Sequence, residues 1–443
     1  MKNKYLFCGI ILILWQAISL AEGETLISID DAYRLALQSH ENILVADIEV
    51  DKSELLPGKA LTEILPHLDV SGDYSRPKEP VLLDTSPIIP AEKWTGTVTL
   101  TQKLYDPRLL PAYALGKHTT SAKKENYAFT VRNVLFNVAG VYYSILKNED
   151  SVAIAKDTVL LAKEELMVAE EKYKAGEVPR TDVLRAELEL SRAERQIVEA
   201  ENSLLSSKAL FANLLCFKAE EDYRLEKPKD AEIKAENLED LLKIALEHRN
   251  DLKESSTNIE VAKINEKLVW AEFQPDLKLE WSDYWVDPET FSQKSGLWTM
   301  TVSASMPIFE GGLRAFNLKE KKMEIRQAQL NRERLKKEIE TDVQNSYFEL
   351  TTFKSVLSAL EKEVELTKET YHITKERYLF GQASSIDIMD ALNRYNSSRV
   401  EHSVKNYEYQ LALLNVQLVT GTFAEEYINF PYVSMSTAKR GVK

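Results

Sequence analysis

The sequence predicts a mainly α-helical protein that also contains β-strands and is built from two copies of one unit. Three observations indicate this class. Motifs recur about 205 residues apart, apolar residues recur every seven positions over long stretches, and short segments alternate apolar and polar side chains. Each copy is expected to hold, in order, a helix, two strands, a long helix and a shorter helix. Any function must explain why this unit is needed twice.

The duplication is clearest around two glycine-containing segments. Tyr173-Lys174-Ala175-Gly176 recurs as Tyr378-Leu379-Phe380-Gly381, and the same spacing relates Asp182 to Asp387. Further upstream, Trp94-Thr95-Gly96-Thr97-Val98 aligns with Trp298-Thr299-Met300-Thr301-Val302. Nearly the whole chain after its first residues is therefore covered by the two copies.

Residues 1–21 have the pattern of a secretory signal peptide. Lys2 and Lys4 precede an apolar run that ends in Ser19-Leu20-Ala21, a small-x-small cleavage site. Removing this segment leaves Cys216 as the one cysteine, which we expect to be buried beside Leu214 and Leu215. No later segment approaches the roughly 18–20 apolar residues of a membrane helix, so a membrane crossing would have to use strands. The formal net charge of −14 argues against nucleic-acid binding.

Two long antiparallel helical hairpins are predicted, over about 107–217 and 312–420. In the long helices, a strict seven-residue apolar spacing is typical of coiled-coil packing, and glycine suits the left-handed conformation at the end of each. The series in the long helix of the first copy comprises Val131, Val138, Ile145, Val152, Val159, Leu166 and Tyr173. The series in the second comprises Val343, Leu350, Leu357, Val364, Tyr371 and Tyr378.

Four strands are predicted over about 66–75, 93–105, 275–286 and 297–309. Each is about 10 residues long with period-two alternation, which is the length and pattern of a tilted transmembrane strand. An ordinary half-buried sheet has the same pattern, but aromatic residues expected at strand ends favour the membrane interpretation. This aromatic girdle would comprise Tyr74, Trp94, Tyr105, Trp281, Trp285 and Trp298. Since four strands cannot close a barrel, the strands would have to come from more than one chain.

The predicted organisation is a signal peptide at 1–21, a first repeat at 22–225, a second repeat at 226–430 and a tail at 431–443. No constellation typical of an enzyme is found. The six histidines are scattered, neither a P-loop nor a Rossmann glycine pattern occurs, and the two Ser-x-x-Lys matches stand alone in a helix. We therefore expect no catalysis, no metal site and no cofactor.

Taken together, the signal peptide, the duplicated strand-strand-helix-helix units and the Tyr-x-x-Gly turns followed by Asp resemble the outer-membrane efflux proteins typified by TolC. The resemblance implies a homotrimer in the outer membrane of a Gram-negative bacterium. Twelve strands would form one barrel in outer-membrane lipid, continuous with an α-helical barrel across the periplasm. Such proteins are passive exit ducts of tripartite efflux pumps or type I secretion systems. Their partners are a periplasmic adaptor (membrane fusion) protein and an inner-membrane transporter of the RND or ABC type.

The resemblance also implies site residues at the second turn. In the family, a Val-Asp-Val-Leu-Asp segment places two aspartate rings at the pore constriction, and here it reads Ile386-Asp387-Ile388-Met389-Asp390. Asp182 holds the matching place in the first copy. The alternative role for Asp387 and Asp182 is to start a helix by capping and by the helix dipole. Tyr378 matches a tyrosine that helps to close the tip, but the arginine expected five residues later is Ala383.

The turns themselves are the implied contacts with the adaptor, and plain hairpin chemistry is the alternative explanation for them. These residues are Gly176, Glu177, Val178, Gly381, Gln382 and Ala383. A second class of function also stays open at this point. In it, the chain would be a soluble periplasmic coiled-coil adaptor or scaffold whose strands form an ordinary small domain. Two hairpins, each preceded by a strand pair, favour the channel.

Overall fold

The computed structural model describes residues 25–79, 81–83, 86–216, 223–228, 237–290 and 293–428. The predicted signal peptide and the tail at 431–443 lie outside the described residues. Most of the described chain is helical. The helices are α1 (Ile29–Ser39), α2 (Glu41–Thr62), α3 (Leu109–Lys174), α4 (Arg180–Leu214), α5 (Leu238–His248), α6 (Asn250–Ala271), α7 (Leu313–Leu379), α8 (Ser385–Val419) and α9 (Glu425–Ile428).

The strands of the described residues form three sheets. They are β1 (Thr25–Ile27), β2 (His67–Ser75), β3 (Val81–Leu83), β4 (Ser86–Ile89), β5 (Lys93–Tyr105), β6 (Tyr223–Leu225), β7 (Asp276–Asp287) and β8 (Leu297–Ser305). A four-stranded antiparallel sheet has the order β2-β5-β7-β8, β1 pairs with β6 in parallel, and β3 pairs with β4. The element order is a strand pair, a long helix and a shorter helix, twice. The predicted fold class is therefore confirmed.

The chain divides into two compact units, and each draws segments from both repeats. The first unit comprises the described parts of Met1–Leu44, Thr130–His248 and Ile339–Phe430, and the second comprises those of Val45–Phe129 and Arg249–Glu338. The first unit therefore holds both hairpin turns. The second unit holds the four-stranded sheet.

In the second unit, the register of the four-stranded sheet sorts the side chains onto two faces. Directly paired residues share a face, so Val70, Val98 and Asp283 lie together, as do Leu68, Leu100 and Trp281. The apolar residues of this face are Leu68, Val70, Tyr74, Trp94, Val98, Leu100, Leu277, Leu279, Trp281, Trp285, Trp298, Met300 and Val302, and the polar residues Gln102, Asp283 and Asp287 lie among them. The opposite face carries Thr95, Thr97, Thr99 and Thr101 of β5 with Ser282, Thr299 and Ser303. This is the predicted alternation.

Two details of the strand prediction are corrected. Trp281 was expected at a strand end but is the sixth of the twelve residues of β7, opposite Leu100 and Met300. The last strand ends at Ser305 instead of reaching residue 309, because Pro307 has no N–H to donate to a ladder. Tyr74 and Trp94 do pair near the end of their strands, with ring centroids 4.7 Å apart.

Helix α2 packs closely on α3 in the second unit. A Cβ built on Gly116 would lie 2.7 Å from the backbone nitrogen of Pro57, so only glycine fits there. The Thr120 hydroxyl donates to the Ser53 carbonyl at 2.9 Å, and the Lys123 ammonium lies 3.0 Å from Glu49. One face of α2 therefore packs against α3 of the same chain.

The first unit has a core of helix faces around the two-stranded β1–β6 sheet. The hydroxyl of the fully buried Tyr142 donates to the Glu226 carbonyl at 2.6 Å, and the Ile27 carbonyl oxygen lies 2.9 Å from the same hydroxyl. Its ring meets Phe211 edge-on at 6.0 Å. Helix α3 is thereby attached to the ends of both strands, β1 from the start of the chain and β6 from its middle.

The seven-residue series describes the buried faces well, with one exception. Val131, Val138 and Ile145 have no exposed surface, and Tyr371 and Tyr378 are 2 % and 4 % exposed. Tyr173, the last member of the first series, is 46 % exposed. Near its end, α3 instead packs its alanines Ala162 and Ala169 against α4. The prediction that the series continues to Tyr173 is therefore wrong.

Cys216 is exposed, so the expectation that it is buried is wrong. It follows the C-cap of α4 with φ of 56°, a left-handed conformation that turns the chain away from the helix. Its sulfur lies 3.6 Å from the Glu41 carboxylate.

Among the described residues, no helix is long and apolar enough to span a membrane.

Candidate functional site

The two hairpin turns have the same backbone design. In the first, Gly176 has φ of 77° and its N–H donates to the Tyr173 carbonyl at 3.0 Å. In the second, Gly381 has φ of 72° and its N–H donates to the Tyr378 carbonyl at 3.1 Å. A positive φ favours glycine, which explains why this residue recurs in both copies.

The side chains of the turns are open to solvent at most positions. Gly176, Glu177, Gly381 and Gln382 are exposed, whereas Val178 and Ala383 are half-buried. Phe380, beside the second turn, is 80 % exposed. An exposed phenylalanine next to a glycine turn offers a partner an apolar contact. The turns are therefore open to solvent at four of the six positions predicted to contact an adaptor.

Asp387 starts helix α8 and stays exposed. Its Oδ2 atom accepts hydrogen bonds from the Ser384 backbone N–H and hydroxyl, both at 2.8 Å, and the Asp387 N–H donates back to the Ser384 hydroxyl at 3.3 Å. This capping box accounts for the helix start. The backbone and hydroxyl hydrogen bonds from Ser384 lower the pKa of Asp387 below its ordinary value. The carboxylate is therefore held ionised as well as capping the helix.

Asp390 lies one turn further along α8. It is 59 % exposed, with its Oδ2 atom 2.9 Å from Nε of Arg394. Asp387 and Asp390 are three residues apart and share a helix face, whereas Ile388 and Ala391 between and after them are buried. The structure thus brings the two predicted acids together on the open face of α8.

Asp182 differs from its counterpart in the second copy. It lies in the first turn of α4, where the N-cap is Pro179 and no side chain caps the helix. Its Oδ1 atom is 3.2 Å from the Arg185 guanidinium, and its side chain is 14 % exposed. Arg185 occupies the position that Asp390 holds in the second copy. In the first copy, the second acid is therefore replaced by a base that pairs with the first.

Tyr378 is a packing residue. It is 4 % exposed and belongs to a cluster with Tyr371, Ile388, Ala391 and Leu392, against which Ala383 also packs. Its hydroxyl is buried and makes no hydrogen bond with the described residues. Burial and then the negative charges of Asp182 and Glu165 raise the pKa of this phenol. Tyr378 therefore contributes to this cluster through the packing of its ring.

Lys172 connects the two turns, and the sequence analysis did not identify it. Its ammonium donates to the Leu379 carbonyl at 3.0 Å and lies 5.3 Å from the centroid of the Tyr378 ring. Its side chain is 11 % exposed, with Glu177 at 3.3 Å. A lysine immediately before the first Tyr-x-x-Gly motif was the available signal. Lys172 therefore links the first hairpin to the second, even though the arginine expected at position 383 is an alanine here.

A second connection between the hairpins is built on a buried carboxylate. The Glu165 side chain on α3 is 6 % exposed and accepts a hydrogen bond from the Tyr371 hydroxyl of α7 at 2.9 Å. Lys375 of α7 lies 3.3 Å from Glu165 and 2.8 Å from Glu164. Further along, Arg399 of α8 lies 2.7 Å from Asp157 of α3. The sequence analysis did not predict these contacts, because acidic and basic side chains that are mixed along a helix are usually exposed to solvent.

Nothing in the described residues assembles a metal site of three or more His, Cys, Asp or Glu side chains. The arrangement instead presents carboxylates on an open helix face, supported by packed aromatic rings and ionic links.

Solved structures of bacterial outer-membrane proteins share this fold. The chain superposes on CusC with a TM-score of 0.78 at 16 % sequence identity, covering 89 % of this chain and 92 % of that one. The Campylobacter jejuni CmeC outer membrane channel superposes with a TM-score of 0.75 at 18 % sequence identity, covering 93 % of this chain and 88 % of that one. The outer membrane protein VceC of Vibrio cholerae superposes with a TM-score of 0.76 at 15 % identity, covering 90 % of this chain and 97 % of that one. Identities this low establish the fold alone.

Sequence comparison supplies the family. No curated protein matches the chain individually, but the profile of the outer membrane efflux proteins matches residues 32–215 and 241–422. These two segments hold most of the chain, one in each repeat, and they include both turns and both acidic helix starts. With the duplicated unit, the open acidic face and the shared fold, this match shows that the chain belongs to the outer membrane efflux protein family.

Proposed function

We propose that the protein is the outer-membrane exit duct of a tripartite efflux pump or type I secretion system. It would conduct substrates passively from the periplasmic side to the exterior. The observation that carries this proposal is the four-stranded sheet, which has one mainly apolar face, one mainly polar face and two edges that no other described strand pairs with. Family membership agrees with this function.

The sheet edges support an assembly of several copies. Strands β2 and β8 each have one neighbour, and unpaired backbone groups in lipid cost several kcal/mol each. Pairing β8 of one copy with β2 of the next satisfies both edges. Three copies would give twelve strands, as the resemblance to TolC-like proteins implies, with the apolar face toward lipid and the threonine-rich face toward the lumen.

The pore constriction would be formed at the start of α8. Threefold repetition of Asp387 and Asp390 places six carboxylates around the axis. Both acids are exposed on one face, and hydrogen bonds from Ser384 keep Asp387 ionised. Asp182 would contribute less, because its copy has one acid on this face and Arg185 pairs with it, whereas in the second copy Arg394 pairs with Asp390 and Asp387 makes no ion pair with the described residues. A ring of this kind favours cations and binds multivalent ones more tightly.

The closed tip would be held by contacts between the two hairpins of each protomer. Tyr378 supplies its packed ring, and Lys172 replaces the missing arginine by reaching the Leu379 carbonyl. The exposed turns around Gly176 and Gly381, with Phe380, would dock a periplasmic adaptor. The adaptor would in turn connect to an inner-membrane transporter that supplies the energy.

Planar-bilayer recordings of the purified mature protein test this function. The exit duct predicts discrete, small, cation-selective conductance steps from a trimer, together with carbonate-resistant association of the protein with the outer membrane. A soluble periplasmic scaffold predicts neither. Folded protein that is fully released with the periplasmic fraction, and that gives no conductance steps, would contradict the exit duct.

A further inference from the structure

The apolar face of the four-stranded sheet carries a carboxylate in its interior. Asp283 is the eighth of the twelve residues of β7, and it pairs with Val98 on one side and with Trp298 on the other. Directly paired residues have their Cβ atoms about 5 Å apart, so both side chains flank the carboxyl group. An acid at this position needs an explanation, because ionisable side chains that face lipid are rare and usually functional.

Three tryptophans surround Asp283 on this face. Trp298 lies opposite it on β8, and Trp281 and Trp285 are two residues before and after it on β7, the spacing that returns a side chain to the same face. Trp298 is 65 % exposed and Trp285 is 43 % exposed. The ring of Trp285 reaches the backbone of Gly96 on β5, where an added Cβ would lie 3.6 Å from it. The carboxyl group therefore lies among broad aromatic surfaces.

The Asp283 carboxylate has no partner among the described residues. Its Oδ1 atom is buried and accepts no hydrogen bond, and no ion pair of the described residues includes it. The lysines of the four strands, Lys93, Lys103 and Lys278, lie on the opposite face with the threonines. A carboxylate outside water is stabilised by hydrogen bonds or by a positive charge. We therefore expect the missing charge to come from outside the sheet.

The position of Asp283 along β7 sets its depth in the membrane. It lies four residues before the strand ends at Asp287, which is about 13 Å along the strand and about 9 Å along the membrane normal for a strand tilted by about 45°. This end is opposite to the one that joins α6. Tryptophans of membrane proteins concentrate at the level of the lipid head groups. The carboxylate is therefore within reach of head groups.

We propose that Asp283 and the tryptophans around it bind the ammonium group of a membrane lipid, which rests on the proposed orientation of the sheet in the exit duct. The carboxylate pairs with the charge of the head-group amine. The faces of the Trp285 and Trp298 rings attract the same cation, since tryptophan is the side chain that best stabilises an ammonium group through its π-electrons. A lipid is the source that the position favours, because Asp283 lies on the face turned to lipid and the lumen is on the other face.

Quenching of tryptophan fluorescence by lipids with brominated acyl chains tests the site. The chain has six tryptophans, and apart from Trp15 and Trp270 all of them lie on this face. In bilayers of phosphatidylglycerol, brominated phosphatidylethanolamine is expected to associate with the wild type about fivefold better than brominated phosphatidylglycerol, as a cation held by a carboxylate and indole rings would. Ethanolamine dissolved in the buffer at millimolar concentration should leave the quenching unchanged. Competition by ethanolamine would overturn the assignment to a lipid.

Two variants that lose the same charge separate the site from general electrostatics. Asp283→Asn is expected to abolish the preference for phosphatidylethanolamine. Glu280→Gln on the same strand is the control, because Glu280 lies on the opposite face, where it pairs with Lys278 at 3.2 Å. It should keep the fivefold preference. Loss of the preference in both variants would show an effect of net charge and overturn the site.

Heat resistance of the reconstituted protein gives an independent measurement. Asp283→Asn should be at least as resistant as the wild type in bilayers of phosphatidylglycerol alone, because it removes an unpaired carboxylate, and less resistant where phosphatidylethanolamine is present. An equal loss in both bilayers would show that Asp283 acts within the protein and overturn the site.

The outcomes also separate this proposal from the exit duct. If the wild type is a conducting trimer but both brominated lipids quench it equally, or if Asp283→Asn keeps the preference, the ammonium site is overturned and the exit duct stands. A wild type that neither inserts into bilayers nor conducts overturns both.

Discussion

The two hairpin turns have one backbone and two different sets of side chains. Both place glycine at positive φ after a tyrosine, yet Tyr173 is exposed and Tyr378 is buried. The helix that follows begins without a side-chain cap at Pro179 in the first copy and with a Ser384–Asp387 capping box in the second. Duplication therefore preserved the turn, which the chain needs twice, while the acidic pair occurs in one copy only.

The charges after the turns show the same division. Asp387 and Asp390 of the second copy correspond to Asp182 and Arg185 of the first. The pair in the first copy is neutral overall, with the two side chains 3.2 Å apart. The second copy instead has two acids on this face, of which Asp390 pairs with Arg394 at 2.9 Å and Asp387 makes no ion pair with the described residues. The first copy supplies Glu165 and Lys172, which hold the second copy in place.

Removing Glu165 is expected to have the largest effect on the link between the hairpins. Glu165→Ala leaves Tyr371 and Lys375 without their buried partner, which should lower the free energy of unfolding by about 3 kcal/mol. Chemical unfolding followed by circular dichroism in detergent measures this loss. Glu164→Ala is the matched control, because Glu164 pairs with the same lysine while 57 % exposed, and it should cost about 0.5 kcal/mol or less. Equal losses would mean that burial of Glu165 contributes nothing.

Exchanging the caps tests the difference between the two helix starts. Ser384→Ala removes the capping box and should cost about 1 kcal/mol. Pro179→Ser gives the first copy a residue able to cap, and should stabilise it by a few tenths of a kcal/mol or more. Thermal melting of the two variants beside wild type measures both. A cost at Pro179→Ser would show that the first turn uses its proline for another purpose.

The stabilising effect of the Ser384 cap should depend on pH with a definite sign. Because the pKa of Asp387 is lowered from its ordinary 3.8 in the folded protein, its contribution is complete above about pH 4 and is lost as the pH falls through the lowered value. The difference in melting temperature between wild type and Ser384→Ala should therefore narrow in acid. A difference that widens below pH 4 would contradict this assignment.

Removing the hydroxyl of Tyr378 should have the smallest effect. The hydroxyl is buried without a hydrogen-bond partner among the described residues, so Tyr378→Phe should change stability by no more than about 0.5 kcal/mol and leave the resting conductance as in wild type. Tyr378→Ala, which removes the packed ring, is the contrast and should open the tip. A Phe variant as open as the Ala variant would show that the hydroxyl itself holds the tip shut.

Most of the fold could be predicted from the periodic spacing of apolar residues in the sequence. The seven-residue rows and the alternating strands are local patterns, and they predicted the hairpins and the faces of the sheet. Contacts between residues that are far apart in the sequence could not be predicted. Glu165 and Tyr371 are 206 positions apart, and nothing in either neighbourhood indicates the other. Trp281, Tyr173 and Cys216 were misplaced for a related reason, because helix and strand ends depend on packing that one short segment does not encode.

The positions of the two acids on one helix face were predicted to a similar extent, and their role in the pore stays a prediction. The acidic pair at Asp387 and Asp390 follows from a motif and from helix geometry, and the capping role that competed with the pore role for Asp387 turns out to use one of its oxygens. The neutralisation of Asp182 by Arg185 could also have been read from their spacing of three residues. Burial of charge at Glu165 could not, since charged residues on a helix are exposed in most proteins.

The most direct test of the acidic constriction is single-channel recording of Asp387→Asn/Asp390→Asn beside the duplicate-position variant Asp182→Asn. A constriction formed by Asp387 and Asp390 predicts that wild type and Asp182→Asn are cation-selective and blocked by trivalent cations added on the periplasmic side, whereas the double variant loses both properties. If the double variant stays selective and blocked like wild type, or if Asp182→Asn loses block to the same extent, Asp387 and Asp390 do not form the constriction.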